Sequence, residues 1–136
     1  MEYQFQFHDS SRHVSVTASG VGRVHAFESL FAELIESPQF EKGMRILLDL
    51  TRVDMTTVPG FDMPQIGRGL EQVRQRCDGC SLAIVSDDPL TRGLVEMAHL
   101  ETSSGFDVFR ALTRDEAVAW LELQETLANA PPVTQQ

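Results

Sequence analysis

Arg45-Ile46-Leu47-Leu48-Asp49-Leu50-Thr51-Arg52-Val53-Asp54-Met55-Thr56-Thr57-Val58-Pro59-Gly60 is the stretch whose reading decides the fold. Its first half, Ile46 to Leu50, is a nearly continuous apolar run, the pattern of a parallel strand buried on both faces and therefore in the middle of a sheet. Its second half, Thr51 to Gly60, is polar, twice acidic, rich in threonine and closed by Pro59-Gly60, which predicts an irregular loop. Ligands of open α/β sheets bind outside the carboxyl ends of the strands, so this loop is the place to look for function.

Outward from this strand, the amino-terminal side reads as a hairpin and a helix. Glu2 to Phe7 alternates, with Tyr3, Phe5 and Phe7 on one face, and His13 to Ala18 repeats the period with Val14, Val16 and Ala18. Asp9-Ser10-Ser11-Arg12 between them is turn chemistry, predicting an antiparallel pair flanked by a solvated His8 and His13. Gly20-Val21-Gly22 is expected to end the second strand. Phe27, Leu30, Phe31, Leu34 and Ile35 then follow the spacing of a core-facing helix that stops before Pro38.

The carboxyl-terminal side alternates helices with strands. Met63, Ile66, Leu70, Val73 and Cys77 predict a helix capped by Asp62, with Pro64 tolerated in its first turn. Gly67 and Gly69 weaken it unless they permit close packing. Leu82 to Val85 is a second buried strand, and Asp88-Pro89 starts a helix carrying Leu90, Leu94, Met97 and Ala98 inward. Phe106 to Phe109 is a short strand, and Thr113-Arg114-Asp115-Glu116 is a capping box opening a last helix that buries Ala117, Trp120 and Leu121. The order ββαβαβαβα predicts an α/β sandwich with a mostly parallel five-stranded sheet, an antiparallel N-terminal hairpin and four helices. One domain is expected over residues 1–127, with residues 128–136 as a flexible tail.

Composition excludes several classes of function. A net charge of -9 over 136 residues argues against a nucleic-acid backbone or an anionic membrane as the main partner. Lys42 is the only lysine among eleven basic residues and falls in an expected loop, so a phosphate-loop lysine is missing. No apolar run is long enough to span a bilayer, and Met1-Glu2-Tyr3-Gln4 lacks the features of a signal peptide, so a cytoplasmic protein without an integral membrane segment is expected.

Three groups of residues are candidates for chemistry or binding. Cys77-Asp78-Gly79-Cys80 follows a helix and precedes a strand, where the dipole has the wrong sign to activate a redox thiol. A zinc site would need two further ligands from His8, His13, His25 or His99, none paired in sequence, so a turn with partly buried cysteines is preferred and no metal or cofactor is expected. Asp49, Asp54, Asp87 and Asp88 lie at strand ends, with Thr51 and Ser86 as hydroxyl neighbours. Such a cluster suits phosphotransfer or a metal enzyme built on Asp49, but a solvated acidic rim is the simpler reading. Met55, Val58, Phe61 and Met63 place apolar side chains in an expected loop, where they either close the core or bind an apolar partner.

The strand end Leu48-Asp49-Leu50-Thr51-x-Val53, Gly60 after the loop, and Leu82 to Ser86 leading into Pro89 resemble a STAS domain. Ala83 to Leu90, Val108-Phe109-Arg110 and Ala117-x-Ala119-Trp120-Leu121 resemble the small bacterial SpoIIAA-like proteins of that class, which are grouped by fold with CRAL-TRIO lipid-transfer domains. The resemblance implies a non-enzymatic binding or regulatory module. In the antagonists of this class the loop reads Asp-Ser-Ser-Gly, and its first serine is phosphorylated to switch partner binding. Aligning on Asp49 and Gly60 puts Thr57, Val58 and Pro59 before that glycine. Val58 cannot take a phosphate, and nothing selects Thr56 or Thr57 in its place. The expected binding surface comprises Asp49, Thr51, Met55, Thr56, Thr57, Val58, Phe61, Met63, Ser86 and Asp87. Its expected occupant is a protein partner; a small apolar ligand or lipid is the alternative, and a homodimer through an edge strand or helix is open.

Overall fold

The computed structural model describes residues 1–8, 12–55, 65, 68–69, 72, 75–76, 79–88 and 107–129. Its strands are β1 (Glu2–His8), β2 (His13–Val21), β3 (Arg45–Asp54), β4 (Ser81–Val85) and β5 (Asp107–Ala111). Helix α1 spans Val24–Glu36 and α2 spans Arg114–Asn129. The strands stand in one sheet in chain order, β1-β2-β3-β4-β5, so the apolar stretch quoted first is its middle strand. The β1–β2 pair is antiparallel, and the other three pairs are parallel.

The two faces of the sheet carry separate cores. On one, Val14, Val16, Ala18, Ile46, Leu48, Leu50, Leu82 and Ile84 meet Phe27, Leu30, Phe31 and Leu34 of α1, with Tyr3, Phe5 and Phe7 packed at the margin. On the other, Leu47, Ala83, Val85 and Ala111 meet Ala117 and Leu121 of α2, with Phe109 stacked on Trp120 at 5.1 Å between ring centroids. Each fully buried aliphatic side chain contributes about 1.5–3 kcal/mol. Helix α2 starts where its capping signal predicts, the Glu116 N–H donating to Thr113 Oγ1 at 3.2 Å.

Several boundaries differ from the sequence reading. Two helices, not four, are delimited among the described residues. The expected helix from Asp62 falls mostly outside them, although Gln65, Arg68, Gly69, Gln72, Gln75 and Arg76 are helical. The helix expected after Pro89 lies wholly outside them. Gln65 Nε2 donates to Glu28 Oε1 at 2.5 Å, and a Cβ on Gly69 would come within 2.6 Å of Phe31 Cδ2, so Gly69 lets that segment press onto α1. Residues 128 and 129, expected as tail, belong to α2.

Both β2 and β3 run further than expected. The glycine at 20 does not end β2, because a φ of +98° at Gly20, which glycine adopts freely, carries the strand on to Val21. Thr51 to Asp54 are strand, not loop. Pairing moves from Thr17↔Asp49 to Ser19↔Arg52, two residues along β2 against three along β3. That extra residue is a β-bulge, and it reverses which side chains face which core. Below it Ile46, Leu48 and Leu50 face α1, and beyond it Val53 and Met55 do so.

Candidate functional site at the carboxyl ends of β3 and β4

The bulge explains what Asp49 does. An extra residue leaves a ladder N–H without its partner, and buried or half-buried donors need one. Asp49 Oδ1 accepts from the Thr51 N–H at 3.0 Å and from Thr51 Oγ1 at 2.6 Å. Its other oxygen, Oδ2, accepts from Arg114 Nη1 at 3.1 Å, tying β3 to the first turn of α2. The Asp49 side chain is 13% exposed, whereas that of Arg114 is 49% exposed. Burial pushes the Asp49 carboxyl up, but the two bonds from Thr51 and the Arg114 guanidinium outweigh it and hold the group below the usual aspartate value. A carboxylate so engaged at both oxygens has little capacity left to bind a metal or attack a phosphoryl group.

Around this bridge lies a rim of mixed character. Thr51, Arg52, Asp54 and Asp87 are exposed. Ser86 is buried, its N–H bonded to Ala111 O at 3.0 Å and its hydroxyl oxygen accepting from the Asp88 N–H at 3.1 Å. Leu112, directly after β5, is 55% exposed.

Of the residues expected at the binding surface, the structure therefore brings Asp49, Thr51, Ser86 and Asp87 to one edge of the sheet. Met55 is not on that surface: it is 1% exposed and its sulfur lies 3.2 Å from where a Cβ on Gly22 would stand. Thr56, Thr57, Val58, Phe61 and Met63 lie outside the described residues. Arg114 and Leu112 were not legible as site residues, since the contact from Asp49 to Arg114 spans 65 positions.

The other candidates resolve differently. Cys80, expected in a turn with partly buried cysteines, is fully buried and disulfide-bonded, and Cys77 is the only other cysteine in the sequence. His13, expected to be solvated, is half-buried and stacks on His8 at 5.1 Å. Among the described residues no three His, Cys, Asp or Glu side chains are grouped to hold a metal ion. Among the same residues no helix is long and apolar enough to cross a membrane.

No protein-family model matches the chain, and no curated protein does. Among solved structures it is similar to an uncharacterised protein of the DUF3478 family with a SpoIIAA-like fold from Shewanella loihica PV-4. Identity there is 17%, the match covers 88% of this chain and 93% of that one, and the TM-score is 0.52. It is similar also to an anti-sigma factor antagonist from Mycobacterium paratuberculosis, at 18% identity, 89% and 95% coverage and a TM-score of 0.50. At such identities the likeness is one of fold, and the chain has the SpoIIAA-like fold. The α/β sandwich that the sequence pattern implies is the architecture these neighbours share.

Proposed function

We propose that this chain is a non-enzymatic, STAS-like binding module that acts through protein–protein contact at the carboxyl ends of β3 and β4, without a phosphorylated serine. The observation that carries the reading is the bridge from Asp49 to Thr51 and Arg114. The Asp49 carboxylate is committed to bracing the edge, and Leu112, directly after β5 in the same row of strand ends, is exposed. A braced polar edge with an exposed apolar side chain at its flank suits docking of another protein. That an anti-sigma factor antagonist shares the fold supports the same reading.

A lipid in the core is disfavoured by packing. Between α1 and the sheet, the void lined by Val16, Leu30, Phe31, Leu34, Ile46, Leu48 and Leu82 is about 10 Å³, at the lower limit for one water.

The test is affinity capture from cells with quantitative mass spectrometry, comparing the wild-type chain with Leu112→Asp and with Phe61→Asp. A protein partner whose recovery falls at least tenfold with either variant supports the module. Equal recovery of every captured protein by all three chains would overturn the proposed surface. Native mass spectrometry of the same eluates separates a foreign partner from a second copy of this chain.

A further inference from the structure

At the amino-terminal ends of β2 and β3, a recess of about 220 Å³ opens between these strands and the middle of α2. It is lined by His13, Arg45, Val118, Leu121, Glu122 and Glu125. Arg45 is only 9% exposed, and its Nη1 donates to Gly43 O at 3.1 Å. No carboxylate of a described residue pairs with it. His13 Nε2 is sealed from solvent without a hydrogen-bond partner. A nearly buried guanidinium held by one carbonyl has donors to spare, and a buried ring nitrogen without a partner is costly, so this end of the sheet has unused polar capacity.

The charges define what it would receive. Burial and the neighbouring His8 push the His13 imidazole below its usual value, outweighing Glu125, so it adds no charge near neutral pH. Arg45 then contributes one positive charge, and Glu122 and Glu125, one helical turn apart, contribute two negative ones. Val118 and Leu121 supply an apolar floor. A matching ligand carries one carboxylate, two cationic groups and a short aliphatic chain. The recess is roomy enough for a small metabolite.

We propose that this recess binds a free basic α-amino acid, with its carboxylate on Arg45, its ammonium groups on Glu122 and Glu125, and its methylenes over Val118 and Leu121. The recess begins at Arg45, on the same strand as Asp49, but shares no lining residue with the Asp49 rim, so titration with small ligands reads it separately from the protein-binding surface. A peptide ending in lysine shares the carboxylate and side-chain ammonium, but lacks the second cation.

The test is isothermal titration of the full chain near pH 7.5 with L-lysine, L-norleucine, pentane-1,5-diamine and Nα-acetyl-L-lysine. L-Lysine is expected to saturate with a Kd of about 1 mM or tighter. Norleucine lacks the side-chain ammonium, the diamine lacks the carboxylate, and the acetylated form lacks the α-ammonium. Each is expected to bind roughly tenfold more weakly, since each forgoes a charge-assisted contact. Glu125→Gln, at a half-buried helical position, should weaken lysine binding about tenfold while melting like wild type. Because Arg45 is packed in the core, its role is read from the ligand series rather than from a variant. No saturation by lysine at about 10 mM, equal binding of the diamine, or unchanged binding by Glu125→Gln would overturn the assignment. Equal binding of the acetylated form would move the site to peptide ends and overturn the free amino acid.

Discussion

Replacing Asp49 by alanine removes three hydrogen bonds at once and tests whether this residue braces the sheet or serves chemistry. The Thr51 N–H, the Thr51 hydroxyl and Arg114 Nη1 all lose their acceptor. Hydrogen bonds to a charged group are worth about 1.5–3 kcal/mol each when sheltered, but Thr51 and Arg114 reach solvent and water replaces much of what is lost. A capping carboxylate of comparable exposure costs about 0.5–2 kcal/mol on removal, so the expected loss for Asp49→Ala is about 2 kcal/mol. For a domain of this size that lowers the melting temperature by roughly 6–10 °C.

The pH dependence sharpens the test. The folded state holds the Asp49 carboxyl below its usual value, so its contribution is fully present above the unfolded aspartate pKa and is lost as pH falls through the folded one. The gap between wild type and Asp49→Ala, followed by circular dichroism, should be flat from about pH 5 to 8 and narrow only below about pH 4. Asp49→Asn keeps an acceptor for Thr51 and should lie between the two. A carboxylate kept for catalysis tends to cost stability, so its removal would leave the melting temperature unchanged or raise it. Either of those outcomes, or a gap indifferent to acid, would refute the bracing role.

Three further outcomes follow from the packing. Gly69→Ala drives a methyl into Phe31 and should cost about 1–3 kcal/mol in urea unfolding, with Phe31→Leu in the same chain restoring part of it. Alkylation of the denatured, unreduced protein should label no cysteine, and reduction should lower stability by about 2 kcal/mol, the chain-entropy value for the four-residue loop from Cys77 to Cys80. Burial and His8 lower the His13 pKa, so its neutral form is favoured by folding: stability is fully present above the unfolded histidine value and declines as pH falls from about 6.5 through the folded one. His13→Gln should flatten that part of the profile, and NMR titration should place the His13 midpoint below that of an exposed histidine.

Alternation and helical spacing carried most of the fold. Tyr3, Phe5 and Phe7 share a face, Val14, Val16 and Ala18 share the next, and Phe27, Leu30, Phe31 and Leu34 cover them, because side-chain periods of two and of 3.6 follow from backbone geometry. What stayed hidden was set by tertiary contact. Thr51, Arg52 and Asp54 look like loop because they are polar, yet pairing with Ser19, Gly20 and Val21 makes the region strand. The bulge shifts the phase at Thr51, so no single alternation links Leu50 to Val53. Arg45 stood first in the deciding stretch without any mark that its guanidinium would be buried, since its cover comes from α2, far along the chain. The same distance concealed Arg114 as the partner of Asp49.

That the strands lie side by side in the order of synthesis has a consequence for how the molecule is made. Each strand from β2 to β5 adds to the edge left by its predecessor, and no strand must be threaded between two already in place. A chain emerging from the ribosome can lay down the hairpin, cover it with α1 and set β3 beside β2 before β4 exists. Until β4 arrives, the β3 edge with Leu47 and Leu48 stands as an open border, so the interval between Asp54 and Ser81 is one in which an unpaired apolar strand is exposed to other chains.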